Sequence, residues 1–214
     1  MTQPAETWQP TEADAEAVAR VLATLDPAEW TVYRDVRWPT REFASLDHVV
    51  VGPKGVFVID SLGWSGRVNV AQDQLRVNGA VRDSELVGAA EAASALTRLI
   101  GSLDARHVQP VLCLVRDEWL TGTARGVLVC STANLAAMLL GRSSHLRADQ
   151  LRSANRQLER WWHESERPAS RAVVAPVFAP VSTPATRRAS PVLWLVLGAA
   201  LVTVLAICVM TLGI

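Results

Sequence analysis

Two carboxylates stand at either end of the most patterned stretch of this chain, Asp47-His-Val-Val-Val-Gly-Pro-Lys-Gly-Val-Phe-Val-Ile-Asp60. Two apolar runs joined by Gly52-Pro53-Lys54-Gly55 read as a β-hairpin around four residues of turn chemistry. If Gly52 faces Gly55, the register carries on to set Asp47 opposite Asp60. Like charges at one cross-strand pair destabilise a sheet. Such a pair is usually kept because something cationic sits between its members, most often a divalent metal that takes oxygen ligands. The chemistry this points to is metal-assisted catalysis. Residue 62 shares a strand face with Asp60 by alternation, and it is leucine.

The same stretch, continued through Trp64 and Gly66, resembles the nuclease-related domain (NERD) family. That family's pattern runs Asp-His-Val-Val-Val-Gly-Pro-x-Gly-Val-Phe-Val-Ile-Glu/Asp-x-Lys-x-Trp-x-Gly. The chain departs from it chiefly at Leu62, where the family has lysine. Ala15-Glu16, followed by Val18 and Leu22, is similar to the family's Gly-Glu helix start, with the glycine replaced. Pro110 to Val115 and Gly126 to Cys130 resemble its later core strands, so the likeness spans roughly residues 11 to 140. It implies a restriction-endonuclease-like fold with Asp47 and Asp60 as Mg²⁺ ligands, Glu16 as a third acid, and DNA as substrate. In that chemistry the metal polarises the phosphate and helps to make hydroxide, while the lysine stabilises developing charge. Leucine supplies none of that. The helix after the hairpins also lacks the glutamine often found in the family, since residues 84–103 contain none. The resemblance therefore implies a degenerate catalytic site, with Leu62 at the lysine position.

Three other cations come into view as substitutes. Lys54, the sole lysine, lies on the hairpin turn, about five strand residues and roughly 16 Å from the acid pair. Arg67 and Arg98 have the reach, but arginine stays charged and is a poor proton donor. Arg152, Arg156 and Arg160 follow one another at helical spacing and make one stripe on the last helix, a candidate contact for phosphates or anionic lipid. Glu159 beside them fits a plain solvated face equally well. Trp161-Trp162, at the end of that helix, is expected to pack against the domain rather than stack on bases.

Composition limits these readings. Residues 1–163 carry 17 Arg and Lys against 19 Asp and Glu. A dedicated non-specific nucleic-acid binder is usually clearly basic, because phosphate neutralisation supplies much of its affinity. Cys113, Cys130 and Cys208 form no C-x-x-C pair and no zinc spacing. The first two sit in apolar strand-like runs, as buried inert thiols do. The four histidines are scattered.

The elements that must position the acids follow from periodicity. Residues 1–10 are polar and expected to fray. Thr11-Glu-Ala-Asp14 reads as a helix cap, with Val18, Val21, Leu22 and Leu25 at helical spacing until Asp26-Pro27. Strands are expected from Trp30 to Trp38, through the hairpin, and in a second, more exposed hairpin at 67–70 and 74–77. A helix from Asp83 to about Leu103 would turn Leu86, Val87, Ala90, Ala93, Leu96 and Ile100 inward. Strands at 109–115 and 126–130 and helices from Ser131 and from Arg147 to His163 complete a domain over residues 11–163. This order predicts a mixed α/β fold, a central mixed sheet flanked by helices.

Residues 164–191 alternate proline with Ala, Val, Ser and Thr and read as an extended linker. Val192 to Ile214 is free of charge, and its 23 residues would make a helix of about 34 Å, enough to span a hydrocarbon core of about 30 Å. Arg167, Arg171, Arg187 and Arg188 precede that transmembrane segment. The positive-inside rule then keeps the domain in the cytoplasm, as a single-pass membrane protein anchored at its C-terminus. Three functions stay open. One is a membrane-tethered domain that binds nucleic acid or a protein partner through a degenerate Mg²⁺ site. The second is a working Mg²⁺-dependent endonuclease with a relocated cation. The third is a non-enzymatic membrane adaptor.

Overall fold

The computed structural model describes residues 11–41, 44–143 and 146–166. It contains a mixed six-stranded sheet with helices on both faces. Helix α1 (Glu12–Leu22) leads into β1 (Thr31–Arg37), β2 (Ser45–Gly52) and β3 (Gly55–Leu62), which pair as an antiparallel meander. A small antiparallel sheet follows, from β4 (Val68–Ala71), β5 (Gln74–Val77) and β6 (Ala80–Val81). Helix α2 (Asp83–Ile100) then crosses back to β7 (Val108–Leu114), which lies parallel to β3. Strands β8 (Thr121–Ala124) and β9 (Val127–Ser131) complete the large sheet in the order β1-β2-β3-β7-β9-β8. Helices α3 (Leu135–Leu140) and α4 (Ala148–Glu166) close the domain.

Local chemistry explains most of these boundaries. Thr11 caps α1 in a capping box with Asp14, each side chain bonding to the other's backbone amide. Gly52 pairs with Gly55 across the hairpin turn, so the sequence-derived register holds along the strands, with His48 facing Ile59. Gly52 is also where Trp30 lies flat on the backbone, and a Cβ there would come within 2.3 Å of its ring. Helix α2 ends at Ile100 rather than Leu103 because Gly101 takes the left-handed conformation and bonds back to Thr97.

Two packed layers lie against the sheet. Val18 and Leu22 of α1 and Leu135 and Leu139 of α3 cover Val50, Phe57, Ile59 and Cys113 on one face. Ala92, Leu96 and Ile100 of α2 and Ala154 and Leu158 of α4 cover Val49, Val51, Val56 and Val58 on the other. Two details differ from the periodicity reading. Val87 is 46% exposed, and Ala89 and Ala92 take the inward positions instead. Strands β6 and β8 carry too few apolar residues to be seen as strands in isolation. The second hairpin is more exposed than the first, as expected, with Leu75 and Val77 alone buried, against Leu62 and Trp64. No helix among the described residues is long and apolar enough to cross a membrane. The expected linker and the span from Val192 to Ile214 lie outside the described residues.

Candidate functional site

Strands β1 and β2 each turn over at one residue, and both residues are aspartates. Tyr33 and Val36 bury in the same apolar cluster, as do Leu46 and Val49, although regular alternation would send members of each pair to opposite faces. Register pairs Arg34 with His48 and Val36 with Leu46, leaving Asp35 opposite Asp47 at the flip. Asp35 has φ of 50°, a conformation that Asp tolerates better than most residues. The flip turns Arg34, Asp35, Asp47 and His48 toward one cavity of about 350 Å³, closed by Thr11, Glu12 and Ala15 of α1. The first turn of α1 also touches the end of β3. Asp14 packs so closely on Gly63 that a Cβ there would meet its carboxylate at 2.4 Å.

Asp47 is half-buried, and its Oδ2 accepts the Ser61 amide at 2.8 Å. Burial raises its pKa, bonds from Ser61 partly offset this, and the charges of Asp35 and Asp14 add to the rise. The β2–β3 ladder ends at His48 and Ile59, and Asp60 follows its last pair. Burial, and then the charge of Asp47, push its carboxyl up to about 7. The coupling expected of the pair is present. Asp60 pairs with Leu112, and Leu62 with Leu114, on the strand face that packs under α2. Alternation thus gives Asp60 the face of Leu62, as the sequence predicts, whereas Asp47 opens toward α1.

Glu16 is engaged elsewhere. Its carboxylate lies 2.6 Å from Nη2 of Arg34, both side chains about half exposed, and that bond together with the arginine's charge lowers its pKa. His48 lies beneath this ion pair, fully buried, with neither ring nitrogen hydrogen-bonded among the described residues. Burial and the charge of Arg34 push its pKa down to about 4, so it is neutral at pH 7. Leu62 is 4% exposed and belongs to an apolar cluster with Trp64, Leu86, Ala89 and Leu114. Its place is filled by core packing.

Mg²⁺ takes oxygen ligands, and Asp47 and Asp60 have the right donors. The rest of the arrangement does not fit a Mg²⁺ centre. Glu16 is held by Arg34, and no group of three or more His, Cys, Asp or Glu gathers to hold a metal among the described residues.

The NERD family model, described as a nuclease-related domain, matches residues 10–115. The chain carries a nuclease-related domain. The match takes in α1 through β7, and with them Glu16, Asp47, Asp60 and Leu62. No curated protein and no solved structure matches the chain.

The remaining candidates lie outside this constellation. Arg152, Arg156 and Arg160 are exposed on α4, whose inward side carries Ala154 and Leu158. Trp161 and Trp162 pack against the domain, and Trp161 donates its indole N–H to the Arg37 carbonyl at 2.8 Å. Cys113 and Cys130 are register neighbours on β7 and β9, both free and buried, and the thiol of Cys113 is pushed up by its neighbour and by burial. Sequence reasoning missed Arg34, Asp35 and His48 as members of the cavity. A signal for Asp35 was present, since Tyr33 and Val36 are apolar at a spacing that no regular strand buries on one side.

Proposed function

We propose that this nuclease-related domain binds nucleic acid at the cytoplasmic face of a membrane, and that its cleavage chemistry is degenerate. The observation that carries the reading is Leu62. It fills the family's lysine position with a buried apolar side chain next to an aspartate that holds its proton up to about pH 7. A site without that cation, with Asp60 facing the α2 layer, has no means of stabilising charge on a phosphate undergoing attack. Membrane attachment rests on the charge-free run from Val192 and the arginines before it.

Plasmid DNA incubated with the full chain and Mg²⁺ or Mn²⁺ should stay intact, while the same protein retains labelled DNA with an affinity that falls as salt rises. Cleavage abolished by Asp60→Ala would overturn the degenerate reading. Failure to bind any DNA would favour the non-enzymatic adaptor.

The active reading, in which another cation replaces the lysine, draws on one residue. Arg34 lines the cavity beside Asp47. It is the nearest substitute the fold offers, since Arg67 lines a groove beyond β7 and Arg98 faces another on the outer side of α2. If Arg34 served that role, Arg34→Ala would remove cleavage that the wild type shows.

A further inference from the structure

Strands β3 and β7 run parallel, with Leu62 beside Leu114, so the segments that follow them leave the sheet at the same end. In open α/β sheets this carboxyl end is where ligands settle. A groove of about 540 Å³ opens there, lined by Arg67, Arg116, Glu118, Trp119 and Leu120 among others. None of these residues belongs to the cavity around Asp47.

Trp119 is the outlier among the described tryptophans. Its side chain is 75% exposed, whereas Trp30, Trp38 and Trp64 are buried. A large aromatic ring left in water forfeits a sizeable hydrophobic gain, so its exposure calls for an explanation. The loop that carries it is clamped at both ends. Thr132 Oγ1 accepts the Arg116 amide at 3.0 Å and donates to the Arg116 carbonyl at 2.8 Å, and Asn134 donates to the Leu120 carbonyl at 3.0 Å. Arg116 also donates from its guanidinium to the Gly66 carbonyl at 2.9 Å, which ties this loop to the chain leaving β3. The ring is therefore presented on a pre-organised loop, which lowers the entropic cost of binding on it.

The charges beside the ring have one free member. Glu118 is 3.1 Å from Arg116, so those two largely satisfy each other. Arg67 is exposed, and its guanidinium makes no ion pair among the described residues. An aromatic plane open to solvent next to an unpaired guanidinium matches an unstacked base joined to its phosphate. Duplex DNA keeps its base faces stacked and offers no such plane.

We infer that the Trp119–Arg67 groove is a subsite for single-stranded nucleic acid, with Trp119 stacking on a base and Arg67 meeting a neighbouring phosphate. This rests on the nucleic-acid reading above and adds to it the form of the ligand and the place where it is held. The full chain in detergent is titrated into labelled oligothymidine and into a matching duplex. Trp119→Ala should weaken oligothymidine binding about 5- to 100-fold, Trp119→Phe should retain most of it, and duplex binding should change little. Arg67→Ala should make the salt dependence shallower by about one counterion.

Wild-type binding of oligothymidine that Trp119→Ala leaves unchanged would overturn the subsite while leaving nucleic-acid binding intact. If the wild type binds neither oligonucleotide, the functional reading fails and the subsite falls with it.

Discussion

Asp60 and His48 carry opposite pH dependences that nearly cancel. Asp60 holds its proton in the folded chain up to about pH 7, whereas an unfolded aspartate releases it near 4. Between those values the folded state binds more protons, so this residue's contribution falls as pH rises. His48 is the reverse. The folded chain keeps it neutral down to about 4, the unfolded chain protonates it below about 6.5, and stability is lost as pH drops through that window. Wild-type stability should therefore be nearly level from about pH 4.5 to 6.5, or fall slightly because Asp47 is raised too. Asp60→Asn removes one arm and should leave stability climbing over the same range by roughly 2–3 kcal/mol. Denaturant midpoints at the two pH values decide the matter: a variant that parallels the wild type would show that Asp60 does not hold its proton, and a variant that stays level would show that His48 is not buried neutral. Leu62 supplies a second prediction at this scale. A lysine at the family position would be expected to create cleavage if only that charge were missing. Because Leu62 is packed beneath α2, Leu62→Lys should instead lower stability by roughly 3 kcal/mol and leave plasmid cleavage at background. Robust Mg²⁺-dependent cleavage by that variant would show that the rest of the site is intact.

The hairpin of β2 and β3 is the element on which the site depends, and its register is fixed by close backbone approach as well as by turn chemistry. Trp30 lies against Gly52 and is itself buried with Phe57, so neither partner has room to withdraw. Gly52→Ala should cost about 1–3 kcal/mol through overpacking, read as a shift in the urea midpoint. A neutral outcome would mean that the ring slides aside without loss. The cap of α1 matters for a different reason. Thr11 and Asp14 form the capping box, and the same Asp14 abuts Gly63 and raises the pKa of Asp47. Thr11→Ala should cost about 1 kcal/mol in thermal or urea unfolding and loosen the wall of the cavity around Asp47. The helix that the family uses to bring an acid to its site here brings one acid to an arginine and another to a strand end.

At the scale of the whole molecule, the proposed anchor from Val192 and the arginines before it make a topology prediction, with the domain on the cytoplasmic side. Protease added to intact cells should leave the domain whole, and membrane permeabilisation should expose it; digestion from outside would reverse the topology. Much of the domain was legible in the sequence because its signals are local. The Gly52-Pro53-Lys54-Gly55 turn set the register that pairs β2 with β3 as far as His48 and Ile59, Thr11 and Asp14 marked the start of α1, and apolar alternation located β2, β3, β7 and β9. The letter at 62 was equally plain, leucine where the family pattern has lysine. Tertiary structure alone decided what faces what. The turnover of β1 and β2 at Asp35 and Asp47 arises from pairing between two strands, and no periodicity within either one shows that Asp47 opens toward α1 while Asp60 keeps the face of Leu62. The pairing of Glu16 with Arg34 and the exposure of Trp119 are likewise outcomes of packing between distant segments. Side-chain spacing along a strand fixes a face only while the strand stays regular, and here it changes at the residues that matter most.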